Sequence, residues 1–182
     1  ISAIADLVQQ IISNTRIPKR AFLGVGVGVP GLVDVNEGLI RYLVNIKGWR
    51  NVPLKGLLQK RLKFPVFVDN DVNVMTLGEA VYGAGKGHRN FICITLGTGV
   101  GGGIVIDGSL YRGSSLSAGE IGHMPIEIDG PRCNCGGRGC LERYVGNKDI
   151  VRRALLKLKD RKSSIINKLI HSDKSRLTPE AL

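Results

Sequence analysis

The chain has 182 residues, 43% of them apolar, which suits one large domain or two small lobes and excludes a disordered chain. No apolar run approaches the roughly eighteen residues of a membrane-crossing helix, and no basic-then-apolar leader opens the sequence, so a cytoplasmic protein is expected. The net charge of +11 raises nucleic acid as a partner, but Arg143 to Leu182 alone carries 11 Lys and Arg against 4 Asp and Glu, and no aromatic interleaves with the charges from Lys148 to Lys162. That pattern reads as a solvated helix face, and nucleic-acid binding is not expected of this piece.

In chain order, Ile1 to Ser13 places Ile1, Ile4, Ala5, Val8, Ile11 and Ile12 at helical spacing and predicts an amphipathic helix. Ala21 to Val29 reads as a buried strand ending in the turn Pro30-Gly31, and Val33 to Asn45 as a short hairpin or loop. A helix over Leu54–Leu62 and a short strand over Pro65–Val68 follow, then the polar cluster Asp69-Asn70-Asp71 and a helix over Val72–Tyr82. The glycines of Gly83-Ala84-Gly85-Lys86-Gly87 read as a hinge, which predicts two parts, residues 1–85 and 86–182. Beyond it come a strand over Asn90–Leu96 with Cys93 as a buried inert thiol, a glycine-rich run from Gly97 to Gly103, and a second strand over Ile104–Asp107. A loop-rich stretch to Gly139 leads to a basic helix over Lys148–Lys162 and a final helix over Ser163–His171. Strands alternating with helices indicate an α/β protein.

Four stretches carry chemistry. His123, Cys133, Cys135 and Cys140 form H-x9-C-x-C-x4-C, and three thiolates with one imidazole make the closed tetrahedral set of a structural zinc ion. The run Gly97-Thr98-Gly99-Val100-Gly101-Gly102-Gly103 contains G-x-G-x-x-G, but strand and turn follow it rather than the helix that dinucleotide binding requires. Its tip can still present backbone N–H groups and the Thr98 hydroxyl to phosphate oxygens. Asp71 at the end of a strand has the placement of a general base for a phosphoryl acceptor, with Asn70 holding neighbouring hydroxyls. The same Asn-Asp pair serves equally well as a turn or helix cap. Glu120 and Glu142 share the metal-bearing stretch and suit recognition of several hydroxyls, and each is also compatible with a solvated surface charge. The second ring nitrogen of His123 is available to a ligand if the first binds metal.

Together Gly26-Val27-Gly28-Val29-Pro30-Gly31, Asp69-Asn70-Asp71-Val72-Asn73, the glycine-rich run, Glu120-Ile121-Gly122-His123 and Cys133-Asn134-Cys135-Gly136-Gly137-Arg138-Gly139-Cys140-Leu141-Glu142 resemble, in order and spacing, the ROK family of sugar kinases, sugar-responsive repressors and uncharacterised reading frames. The resemblance implies an actin/hexokinase-like ATPase fold whose ribonuclease H-like lobes close over a cleft. Residues 1–85 would be the remainder of the N-terminal lobe, and 86–182 part of the C-terminal lobe with phosphate hairpin and zinc loop. It makes Asp71 the general base, with Gly31, Asn70, Glu120, His123 and Glu142 binding sugar and Gly97, Thr98 and Gly99 binding ATP phosphates. Zn²⁺ would be structural, and Mg²⁺ would accompany ATP.

The fold is expected to be incomplete at both ends, since the family's first phosphate loop, Asp-x-Gly-Gly-Thr, and its later adenosine-binding segment are absent, so this piece alone should be inactive. A glucokinase-like hexose kinase, dimeric or tetrameric, is the favoured function. Leu32 after Pro30-Gly31, where kinases of N-acylated mannosamine often carry Arg, leans away from amino sugars. The alternative is a sugar-responsive repressor with an upstream helix-turn-helix.

Overall fold

Two parallel strands, β1 (Val25–Val29) and β5 (Val66–Asn70), set the frame of the N-terminal region in a computed structural model that describes residues 1–43, 46–158, 165–166 and 177–179. Their register runs from Val25 opposite Val66 to Val29 opposite Asn70, so both strands end at the same level. Between them the chain builds an antiparallel sheet from β2 (Leu32–Asp34), β3 (Leu39–Tyr42) and β4 (Arg50–Val52) in the order β2-β3-β4, then α2 (Leu54–Leu62). The first helix, α1 (Ser2–Asn14), packs beside α2. Val66 and Val68 of β5 point into a core with Val29, Ile40, Leu54 and Leu58, whereas the intervening Phe67 is exposed. That alternation is the period of a strand covered on one face. α2 stops at Lys63, which adopts the left-handed conformation (φ 57°), and β5 passes directly into α3 (Asp71–Tyr82).

The strand expected from Ala21 starts only at Val25. Lys19–Ala21 is a single 3₁₀ turn, and Leu23 is 90% exposed. The segment after α3 is a pair of turns, closed by bonds from Lys86 N to the Gly83 carbonyl (3.2 Å) and from His88 N to the Gly85 carbonyl (3.0 Å). It leads to β6 (Phe91–Leu96), β7 (Val100–Ile106) and β8 (Ser109–Tyr111), a sheet in the order β6-β7-β8. The second strand of this region thus takes in half of the glycine-rich run, and only Gly97-Thr98-Gly99 is left as the turn. Cys93 is half-buried rather than buried: it shares the less exposed face of β6 with Phe91 and Thr95, none of which is fully buried.

The chain divides into two compact units, Ile1–Phe91 with Gly103–Ala118, and Ile92–Gly102 with Gly119–Leu182. In the second, α4 (Glu142–Val145) is followed by α5 (Asn147–Leu158), whose Val151, Ala154, Leu155 and Leu158 pack with Ile166 and Leu177. Asp149 is buried at the start of α5 between Arg143 and Arg152, each at 3.3 Å. The rest of the basic helix beyond Leu158, and most of the helix expected over Ser163–His171, lie outside the described residues. No helix among the described residues is long and apolar enough to cross a membrane.

Candidate sugar, phosphate and metal sites

The first site grows out of the aligned ends of β1 and β5. Asn70 is the N-cap of α3: its Oδ1 accepts from Val72 N (2.9 Å) and Asn73 N (3.2 Å), two of the amides that the first helical turn leaves unpaired. Its Nδ2 donates to the Gly31 carbonyl at 3.1 Å and retains one further N–H. Sequence reasoning left Asn70 open between helix cap and ligand contact. It is a cap, with one donor to spare.

Asp71 follows in the first turn of α3, exposed, its Oδ1 accepting from Val72 N at 3.0 Å. Gly31 sits at φ +126°, and a Cβ there would lie 2.3 Å from the Tyr42 carbonyl oxygen. Gly31→Ala is therefore expected to destabilise the protein by about 2 kcal/mol or more, from strain and overpacking together, as read from the urea midpoint.

Asp69 differs sharply from Asp71. Its Oδ1 accepts from Asn70 N (2.8 Å) and Asn73 Nδ2 (3.3 Å), and its Oδ2 pairs with the guanidinium of Arg112. Arg112 was not singled out from the sequence; it lies 43 residues from Asp69, and no local pattern announces the pair.

The other predicted residues belong to the second unit. The ligand atoms of His123, Cys133, Cys135 and Cys140 all lie within 4.8 Å of one another. His123 Nδ1 is 3.6 Å from Cys133 Sγ, and Cys135 Sγ is 3.6 Å from Cys140 Sγ. Metal–sulfur bonds of about 2.3 Å and metal–nitrogen bonds of about 2.0 Å at tetrahedral angles place neighbouring ligands roughly 3.5–3.8 Å apart, so a set of four at this spacing fits one tetrahedral ion with no position left for water. Burial pushes the Cys133 thiol up to about 12 and raises Cys140, while the Gly137 backbone N–H lowers the exposed Cys135. Two buried thiols held this close are poorly placed as free thiolates and well placed as metal ligands, since a bound cation deprotonates them. His123 turns Nδ1 to the cluster, and its Nε2 lies 3.8 Å from the exposed carboxylate of Glu120.

Gly97-Thr98-Gly99 is a tight turn, closed by Gly97 N to the Gly99 carbonyl (2.9 Å), with Thr98 exposed. The Gly97 carbonyl in turn accepts from Asn147 N at 2.9 Å, which anchors the tip to the start of α5. Glu142 lies between this turn and the metal cluster: Oε2 accepts from Val100 N at 3.3 Å, and Oε1 is 3.6 Å from Cys133 Sγ. A Cβ on Gly99 would sit 2.3 Å from Glu142 Oε2, so a larger residue there would displace that carboxylate.

The structure thus gathers Gly31, Asn70 and Asp71 in one unit. In the other it gathers Glu120, His123, Glu142, the Gly97-Thr98-Gly99 turn and the cysteines.

The ROK family profile matches residues 1–178. The chain is 44% identical over 162 residues to a glucokinase of Halalkalibacterium halodurans, covering 88% of this chain and 49% of that protein. It is 39% identical over 163 residues to the xylose repressor of Bacillus spizizenii, covering 88% of this chain and 41% of that one. It therefore spans about half the length, or less, of these curated relatives. A crystal structure of a ROK family glucokinase from Streptomyces griseus, in complex with glucose and AMPPNP, superposes with a TM-score of 0.74 at 36% identity over 92% of this chain and 54% of that one. The fold is that of the actin/hexokinase-like ATPases, represented in part, and the chain belongs to the ROK family.

Proposed function

We propose that the chain is the greater part of the sugar and zinc sites of an ATP-dependent hexose kinase, with glucose the favoured acceptor. Asp71 carries the reading. It stands at the carboxyl end of β5, exposed, with one carboxylate oxygen taking the Val72 amide and the other accepting no hydrogen bond among the described residues. A phosphoryl acceptor needs just such a carboxylate to receive its hydroxyl proton as attack on the γ-phosphate begins. Gly31 lines the pocket and the spare N–H of Asn70 holds a neighbouring hydroxyl, while Glu120, His123 and Glu142 bind others. The amides and hydroxyl of Gly97-Thr98-Gly99 hold phosphate oxygens.

His123, Cys133, Cys135 and Cys140 hold a structural Zn²⁺, whose chemistry here is to tie the loop between Glu120 and Glu142. Mg²⁺ arrives with ATP. Residues 1–85 and 86–182 are parts of the two lobes, and the whole protein is a cytoplasmic homo-oligomer.

Relatives named glucokinase support this assignment, as does the S. griseus enzyme bound to glucose and AMPPNP. A sugar-responsive repressor is the second reading, favoured by the xylose-repressor relatives and the charge of +11. Assay of the full-length protein with ATP across a hexose panel decides between them. Turnover on glucose is expected. Sugar binding without turnover on any hexose, in a full chain carrying a helix-turn-helix, would establish the repressor.

A further inference from the structure

Among the described residues one ion pair reaches the β5–α3 junction, and no role assigned so far explains it. Asp69 is largely buried, its side chain 14% exposed. A carboxylate withdrawn from water to that degree is costly unless a cation or hydrogen-bond donors meet it. Arg112 meets it, from the residue immediately after β8.

The bonds run in one direction. Arg112 holds Asp69 Oδ2, and Asp69 Oδ1 holds both the backbone N–H of Asn70 and the side-chain amide of Asn73. Asn70 in turn holds the first turn of α3 through Val72 N and Asn73 N. Arg112 is itself placed with care: its carbonyl accepts from Ala118 N at 2.9 Å, and its Nε is buried without a partner among the described residues. A guanidinium tolerating an unpaired buried N–H is held there by the carboxylate rather than by general solvation of the arm.

We propose that Arg112 is a positioning residue of the acceptor site: through Asp69 it holds the β5–α3 turn in the geometry that presents Asn70 and Asp71 to the sugar. The role rests on the kinase reading above. Arg112 does not touch the reacting atoms. Its effect is on where Asp71 stands, and displacement of a catalytic group by about 1 Å costs on the order of 100-fold.

The test uses the full-length protein, glucose and ATP, and compares wild type with R112A, R112K, D69N and the double variant D69N/R112A. In folded R112A, kcat/KM for glucose is expected to fall about 100-fold, with KM for ATP and zinc content unchanged. R112K, which keeps the charge but not the planar fork, recovers part of the loss. The double variant loses no more than the worse single one, because both changes cut the same chain of bonds.

Glucose kcat/KM close to wild type in folded R112A overturns the role, as do losses that add in the double variant. An ion pair serving stability alone would lower the melting temperature and leave kcat/KM in place. If R112A does not fold, R112K carries the reading: a loss confined to glucose kcat/KM supports the role, and no loss overturns it. Absence of turnover in the wild type on every hexose removes the kinase reading and this role with it, whereas turnover in the wild type with R112A unaffected removes only the role.

Discussion

Asp71→Asn in the full-length protein is expected to lower kcat for glucose phosphorylation by about 10²–10⁴-fold, the range over which a positioned general base acts. The amide is isosteric with the carboxylate but cannot accept the acceptor hydroxyl's proton. The local fold has little reason to change. The Asp71 carboxylate supports one backbone amide, Val72 N at 3.0 Å, which an asparagine oxygen serves equally. The lost charge at the first turn of α3 costs no more than about 1 kcal/mol of helix-dipole stabilisation. Glucose affinity should therefore hold while turnover collapses, and isothermal titration beside a coupled kinase assay reads both. A variant retaining more than about a tenth of wild-type kcat would mean that another group takes the proton.

Removing the proposed zinc should be as damaging by a different route. Cys133 and Cys140 are buried in a loop that keeps itself together with short bridges, Pro125 to Cys140 and Arg132 to Arg138, rather than with an apolar core. Structural zinc in small sites contributes roughly 10–16 kcal/mol of apparent binding free energy, comparable with the whole stability of a domain, about 5–15 kcal/mol. Cys140→Ser, or exhaustive chelation, is expected to release about one zinc per chain, to disorder residues 120–142 and to abolish glucose binding. Glu120, His123 and Glu142 all depend on that loop. Zinc added back to the chelated wild type should restore binding, and it should fail to do so in the serine variant. Glucose affinity unchanged in a metal-free sample would remove the loop from the sugar site.

The convergence of His123, Cys133, Cys135 and Cys140 was legible in the sequence because such spacing is local: three cysteines within eight residues can converge whatever surrounds them. Helix α2 was legible to the residue because its apolar positions repeat at the helical period. The start of β1 was not. Phe22 and Leu23 look like strand, yet Phe22 packs edge-on against Phe64 and Leu23 faces outward, and ladder bonds begin only where Val25 N meets the Pro65 carbonyl at 2.8 Å. That start is decided by a partner strand some forty residues on. The glycine-rich run misled in the same way. Gly101 reads as loop, but its N–H finds Thr95 Oγ1 at 3.2 Å, and pairing draws it into β7. The Asp69–Arg112 pair has no sequence signature at all, since an arginine after a short strand is unremarkable until the fold brings a buried carboxylate to it.

The division of labour between Asn70 and Asp71 bears on how descendants of this fold diverge. Asn70 closes the start of α3 and ties it to the Gly31 carbonyl, so selection for folding alone retains it. A lineage that abandoned phosphoryl transfer and kept only sugar sensing would lose stability by changing it. Asp71, the proposed base, supports only the Val72 amide and is free to drift once turnover ceases to matter. Position 70 therefore records the architecture, and position 71 is where loss of enzymatic work would first be written.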